Sequence, residues 1–188
     1  MTNTTMTVID RPSVPQAVRP YDAHAESAAT VAADPAALFT WLDDPRHLGG
    51  HMQRRSWRTL GTRMEYRLDA LAGRAVGSSI QLVGDLWGIP LFVDEVVVEH
   101  EPPRRKSWTT IGDPRLVVIG HYRMGFEISP ESRGSRLTVG IDYQLPRWRP
   151  ALLARWAAGR YAAWCVRRMV GDAAADLSTE QSNENQHT

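Results

Sequence analysis

Between Thr62 and Leu145 apolar and polar residues alternate with a period of two, interrupted by clusters of Gly, Pro and Ser, and after Pro146 the period becomes helical. Ahead of this region, His24 to Ala33 reads as a strand that stops at Asp34-Pro35, an N-cap with proline in the first helical turn. A short helix is expected to Leu42. Asp43-Asp44-Pro45 ends it, and Pro45 opens a second short helical segment toward Met52, limited by Gly49-Gly50.

From Thr62, Met64, Tyr66 and Leu68 alternate with Arg63, Glu65, Arg67 and Asp69, the pattern of a strand with one wet face. Further strands are expected at Val76 to Trp87, Leu91 to Glu101, Arg104 to Ile111 and Val117 to Ile128, the last placing Tyr122, Met124, Phe126 and Ile128 on one face. Pro102-Pro103 breaks the ladder between two of them. Ser132-Arg133-Gly134-Ser135 turns into Leu137, Val139, Ile141, Tyr143 and Leu145. Beyond Pro146, Leu152, Trp156, Gly159, Ala163, Val166, Val170, Ala173 and Leu177 recur at three- and four-residue spacings, so one stripe of a long helix is expected to face the core. Strand, two short helices, six strands and one long helix make a segregated α+β order, not alternating βαβ.

Composition adds boundaries. The 188 residues are 43% hydrophobic and 23% charged, ordinary globular usage and enough chain for a core without metal or disulfide staples. Residues 1–22 and 178–188 are polar and aperiodic and read as flexible tails around one domain at 23–177. The net charge of +1 gives no reason to expect nucleic acid as a partner. A single cysteine, Cys165, excludes an intrachain disulfide and a multi-cysteine metal site, and with no signal peptide or long apolar run the expected location is the cytoplasm.

Three stretches carry a resemblance: Val31-Ala32-Ala33-Asp34-Pro35-Ala36-Ala37-Leu38-Phe39-Thr40-Trp41-Leu42 at the strand-to-helix joint, Val96-Val97-Val98-Glu99-His100-Glu101-Pro102-Pro103-Arg104-Arg105 at a strand end, and Tyr122-Arg123-Met124-Gly125-Phe126-Glu127-Ile128 before a Gly-Ser hairpin. In this order they resemble the START-like or Bet v 1-like superfamily (SRPBCC), also called the polyketide cyclase/dehydrase and lipid-transport superfamily, over about residues 24–177. The resemblance implies a helix-grip fold: a curved antiparallel sheet of about seven strands wrapped around the C-terminal helix, with a ligand cavity between them and the two short helices at its entrance. It implies no single activity, because members bind lipids, sterols or polyketides and some are enzymes. The chain lacks a Rieske-type Cys/His pattern, which removes the oxygenase-component branch.

Candidate site residues follow from the strand registers. Met64, Tyr66, Leu68, Tyr122, Met124, Phe126 and Tyr143 are expected on the concave face, with Trp108 among the interior tryptophans and Trp156 and Ala163 opposite them on the helix. The phenols of Tyr66, Tyr122 and Tyr143 need hydrogen-bond partners, either in the protein or on a ligand. Asp94 faces the cavity beside Phe92, Val96 and Val98 if Glu95 and Glu99 face water. A carboxyl there would be a candidate acid or base. The opposite phase, with Leu91, Val93 and Val97 inward, fits nearly as well because both faces of this strand are apolar. Arg155 lies at the edge of the helical stripe, to pair with Asp94 or an acidic ligand head, or to snorkel.

His47 and His51 are four residues apart, but no acidic residue completes a ligand set and Gly49-Gly50 weakens the helix between them, so no metal is expected. No phosphate-cradling or serine-nucleophile motif occurs, and Cys165 reads as structural. Tyr143 to Gly171 holds no acid but carries Arg147, Arg149, Arg155, Arg160, Arg167 and Arg168 with three tryptophans, a pattern compatible with weak contact to an anionic membrane surface. The expected function is therefore binding or carriage of a small, largely apolar molecule (lipid, quinone or aromatic polyketide-like) without a cofactor. The alternative is a polyketide cyclase or dehydratase with Asp94, Tyr66 or Tyr122 in catalysis, and the third reading is a membrane-surface or partner-binding module.

Overall fold

The computed structural model describes residues 20–48, 63–86, 88–146 and 150–184. Within them the chain runs β1 (Ala23–Val31), α1 (Pro35–Asp43), α2 (Pro45–Leu48), β2 (Arg63–Leu68), β3 (Ser79–Leu86), β4 (Ile89–Glu101), β5 (Arg105–Arg115), β6 (Tyr122–Glu131), β7 (Gly134–Tyr143) and α3 (Ala151–Glu184). The strands form one antiparallel sheet in the order β1-β7-β6-β5-β4-β3-β2. Apart from the closing β1–β7 pair, every neighbour is also the next strand in sequence, so short turns suffice to connect them. Seven strands, two early short helices and a long last helix match the expected helix-grip order.

Local chemistry sets the joints. Asp34 caps α1, its carboxylate accepting from the backbone N–H groups of Ala36 (2.9 Å) and Ala37 (3.1 Å), and Pro35 starts the helix. At the β6–β7 turn Gly134 has φ +126°, and a Cβ there would collide with the Val31 carbonyl oxygen. Ser135 beside it is fully buried and its hydroxyl donates to the Ala33 carbonyl at 2.8 Å, tying the end of β1 to the turn.

Strand alternation holds on β6 and β7, where Tyr122, Phe126, Ile128, Leu137, Val139, Ile141 and Tyr143 are all buried. On the long helix the expected stripe is right only toward the C-terminus. Val166, Val170, Ala173 and Leu177 are buried, but Leu152 is 84% and Trp156 62% exposed. The buried positions of the first half are instead Ala154, Ala158 and Ala162. The physical reason is close approach. The helix packs on β1 and β7, and the core-side residues of β1 include Ala23, Ala25 and Ala29. A tryptophan in that interface would hold the two elements apart. The helix also runs on to Glu184, where the polar sequence from Ser178 suggests an irregular tail. Once nucleated, a helix adds residues cheaply.

Several strand limits also shift: β3 begins at Ser79 instead of Val76, and β5 runs past Ile111 to Arg115. Ile89 and Pro90, expected as a break, already pair with Leu86 and Asp85, and Val117 to His121 form a loop before β6. His51 and Trp87 lie outside the described residues, as do residues 147–149, and so does the side chain of Met64.

A candidate ligand cavity with a buried carboxyl

A cavity of about 80 Å³ lies between the sheet and α3. It is several times the roughly 10–15 Å³ that one water needs. The sheet contributes Tyr66, Ile80, Leu82, Val93, Glu95, Lys106, Trp108, Tyr122, Met124 and Ile141; Leu116 and Ile119 close it from the loop before β6 and Pro45 from α2. The helix contributes Tyr161, Cys165 and Met169, an i, i+4 row beside its alanine row. One row thus packs on β1 and β7 while the next faces the space toward β2–β6.

The carboxyl in this wall is Glu95, not Asp94. Leu91, Val93, Glu95 and Val97 are buried in turn along β4, so the opposite phase is the one adopted. Asp94 and Phe92 therefore lie on the other face, and Asp94 Oδ1 is buried there without a hydrogen-bond partner. The β4–β5 pairing contains a register irregularity between Val97 and Glu99, which steps from Trp108 to Ser107 on β5. That bulge resets the alternation. Glu99 sits outside with Arg105 (3.1 Å), while Glu95, four residues earlier, stays inside.

Glu95 is 4% exposed. Burial pushes its carboxyl up to about 7, against the opposing effects of hydrogen bonds from Tyr122 and Trp108 and the positive charge of Lys106. The Tyr122 hydroxyl donates to Glu95 Oε1. Burial and the neighbouring Glu95 both raise the pKa of Tyr122, and the same two causes raise that of Tyr66. Tyr161 is raised chiefly by Cys165, with which its hydroxyl is hydrogen-bonded, and burial pushes the Cys165 thiol up to about 12. Cys165 is therefore a neutral thiol at physiological pH.

Lys106, the sole lysine, is 1% exposed and reaches α1 with its ammonium. Its ammonium donates to Asp43 Oδ1 at 2.7 Å and to the Asp43 carbonyl at 2.9 Å, and His100 Nε2 lies 3.0 Å from the same carboxylate oxygen. Burial lowers the Lys106 pKa and Asp43 opposes that shift. The ring of His100 also packs edge-on against Phe39, which in turn meets Phe126, with both centroid distances 5.5 Å. This cluster anchors α1 against the sheet.

The other expected site residues divide clearly. Tyr66, Trp108, Tyr122 and Met124 line the cavity. Leu68 and Phe126 pack in the core without lining it, and Tyr143 is buried toward α3, its hydroxyl 3.7 Å from where a Cβ on Gly159 would stand. Ala163 is half-buried beside the two inward rows, and Arg155 and Trp156 are exposed. His47 is committed to Trp41, bonding its carbonyl at 2.9 Å and stacking on its ring at 4.9 Å. Glu95, Tyr161, Cys165 and Met169 were missed. The helical row could have been found by testing the i, i+4 set next to the assumed stripe.

A family described as polyketide cyclase / dehydrase and lipid transport matches residues 22–180. The chain belongs to that family. Its fold is shared with solved structures at low identity. A Thermus thermophilus protein is 14% identical, with a TM-score of 0.62 over 84% of this chain and 99% of its own. The di-domain ARO/CYC StfQ of the steffimycin biosynthetic pathway is 12% identical, with a TM-score of 0.62 over 85% of this chain and 51% of its own. Ara h 8.0201 is 12% identical, with a TM-score of 0.51 over 79% and 97%. At these identities the likeness carries the Bet v 1-like fold and no activity. No curated protein matches the chain in sequence.

Proposed function

We propose that this family member binds a small, largely apolar molecule in the cavity between sheet and helix. The observation behind this reading is a largely apolar wall with the hydrogen-bonded pair Glu95 and Tyr122 set into it, the combination by which pockets fix ligand orientation. Pockets for drug-sized ligands span roughly 300–1,000 Å³. A cavity of about 80 Å³ therefore suits a compact ligand, and a long acyl chain or a fused polycycle would have to widen it. The test is native mass spectrometry and thermal-shift screening against a panel of compact aromatics, quinones and short-chain lipids. Binding that is competitive among panel members and weakened by Leu82→Trp, which fills the wall, supports the reading. A folded protein that takes up none of them sinks it.

A second reading, polyketide cyclase or dehydratase chemistry, is favoured by Glu95 itself. A carboxyl held near 7 is poised to give or take a proton at physiological pH. It replaces Asp94 as the acid-base candidate, with Tyr122 to orient it. Turnover of a poly-β-keto substrate that survives Glu95→Gln unchanged would remove this role.

Weak peripheral membrane contact has a separate basis in the start of α3, where Leu152, Leu153 and Trp156 are exposed and Arg160 lies 5.2 Å over the Trp156 ring. Co-sedimentation with anionic but not zwitterionic vesicles at low salt, lost in Trp156→Ala, is the expected result.

A further inference from the structure

The hydrogen-bond inventory of the cavity narrows the ligand beyond its size and apolarity. The Tyr122 hydroxyl spends its proton on Glu95, and the Tyr161 hydroxyl is paired with Cys165. The Trp108 indole N–H is directed at Glu95 as well. Lys106 gives its ammonium to Asp43. Besides these committed donors and the hydroxyl of Tyr66, the wall offers a guest the remaining lone pairs of a carboxylate and of phenolic oxygens, with soft sulfur at Cys165 and Met169.

We propose that the Glu95 end of the cavity is a recognition site for a protonated amine carried on a compact apolar ligand. This inference rests on the ligand-binding reading above and specifies the polar group that such a ligand brings. An ammonium supplies a charged donor to the free lone pairs of the Glu95 carboxylate, and aromatic side chains on three elements, Tyr66, Trp108 and Tyr122, line the same cavity with electron-rich groups. Away from Glu95 the wall turns apolar, through Leu82, Val93 and Ile141, which suits the ligand's hydrocarbon body.

The titratable and charged groups facing Glu95 are Tyr66 from β2, Lys106 from β5, Tyr122 from β6, and Tyr161 and Cys165 from α3. Of these only Lys106 is charged at neutral pH, and Asp43 balances it. An ammonium guest favours ionised Glu95. Its affinity therefore rises with pH up to about 7 and levels off above, until the amine itself deprotonates at about pH 10. Around pH 6 the complex forms with release of up to about 0.9 proton, the amount depending on how strongly the ammonium favours the ionised carboxyl.

The experiment is isothermal titration calorimetry with benzylamine and its neutral isostere benzyl alcohol, at about pH 6 and about pH 8, in buffers of different ionisation enthalpy. A hydrogen bond to a charged group contributes about 1.5–3 kcal/mol, so benzylamine is expected to bind about 10- to 100-fold tighter than benzyl alcohol at the higher pH. That advantage should shrink at the lower pH, with proton release there. In Glu95→Gln the preference disappears while benzyl alcohol still binds. If that variant does not fold, the buffer-dependent heats of the native protein decide alone. Equal affinities at both pH values, or a preference for the alcohol, overturn the amine assignment and leave the cavity reading standing. Failure of both probes to bind at about 10 mM, a free energy weaker than about 3 kcal/mol, overturns the two together.

Discussion

Replacing Glu95 by Gln should change how stability depends on pH, in a direction the buried carboxyl dictates. Its ordinary pKa is 4.5, and in the folded protein burial holds it at about 7. Between those values the folded chain keeps a proton that the unfolded chain has released, so stability falls as pH rises. This contribution is fully present below 4.5 and is lost as pH passes through about 7. A difference of that size corresponds to about 3 kcal/mol. It is a large share of the roughly 5–15 kcal/mol typical of a domain.

Gln is close to isosteric and keeps a carbonyl oxygen to accept from Tyr122, but it does not ionise. Urea unfolding of both proteins at a series of pH values from about 4.5 to 8 gives a difference curve in which all common titrating groups cancel. The variant should gain about 3 kcal/mol relative to the native protein across that range, whatever constant offset the amide introduces. A flat difference curve would refute the reasoning. It would mean that water or movement of the wall solvates the carboxylate and that the site is not the dry cavity described here.

Tyr122→Phe should raise the Glu95 pKa further, because it removes a donor to the ionised form; a carbon-detected NMR titration of the Glu95 carboxyl checks the direction. Asp43→Ala should cost about 3–5 kcal/mol by stranding the buried Lys106 ammonium, and adding Lys106→Met should recover most of that loss in the same denaturation assay. Gly134→Ala should cost about 1–3 kcal/mol, since φ +126° is strained for any L side chain and the new Cβ meets the Val31 carbonyl; an unchanged Tm would contradict it.

The elements that alternation and capping define were legible in the sequence. Asp34-Pro35 announced the start of α1, and Tyr122, Phe126, Ile128, Val139, Ile141 and Tyr143 are inward because one face of β6 and β7 is wet and the other is not. The long helix was half legible. Hydrophobicity gives weight to Leu152 and Trp156, whereas the packing selects Ala154, Ala158 and Ala162, since the sheet comes too close for anything larger. A hydropathy pattern records which side chains dislike water; it does not record how near a neighbour will stand.

The site turned on a single residue of register. Glu95 and Glu99 share a face in any unbroken strand, and placing both in water leaves Asp94 as the inward acid. The bulge between Val97 and Glu99 separates them, sending Glu99 to its arginine partner outside and Glu95 to Tyr122 inside. With Val93 and Val97 inward, β4 covers the core with apolar surface at the cost of one buried carboxyl. The opposite phase would bury Phe92, Val96 and Val98 with Asp94, an equally apolar set, so hydrophobic burial does not choose between them. The partners do. In the adopted phase the carboxyl meets the Tyr122 hydroxyl and the Trp108 indole, while Asp94 keeps an unbonded oxygen even on the outer face. Those donors stand on β5 and β6, so the choice of which acid enters the cavity is made by strands that follow β4 in the chain, and a reading of β4 alone could not have reached it.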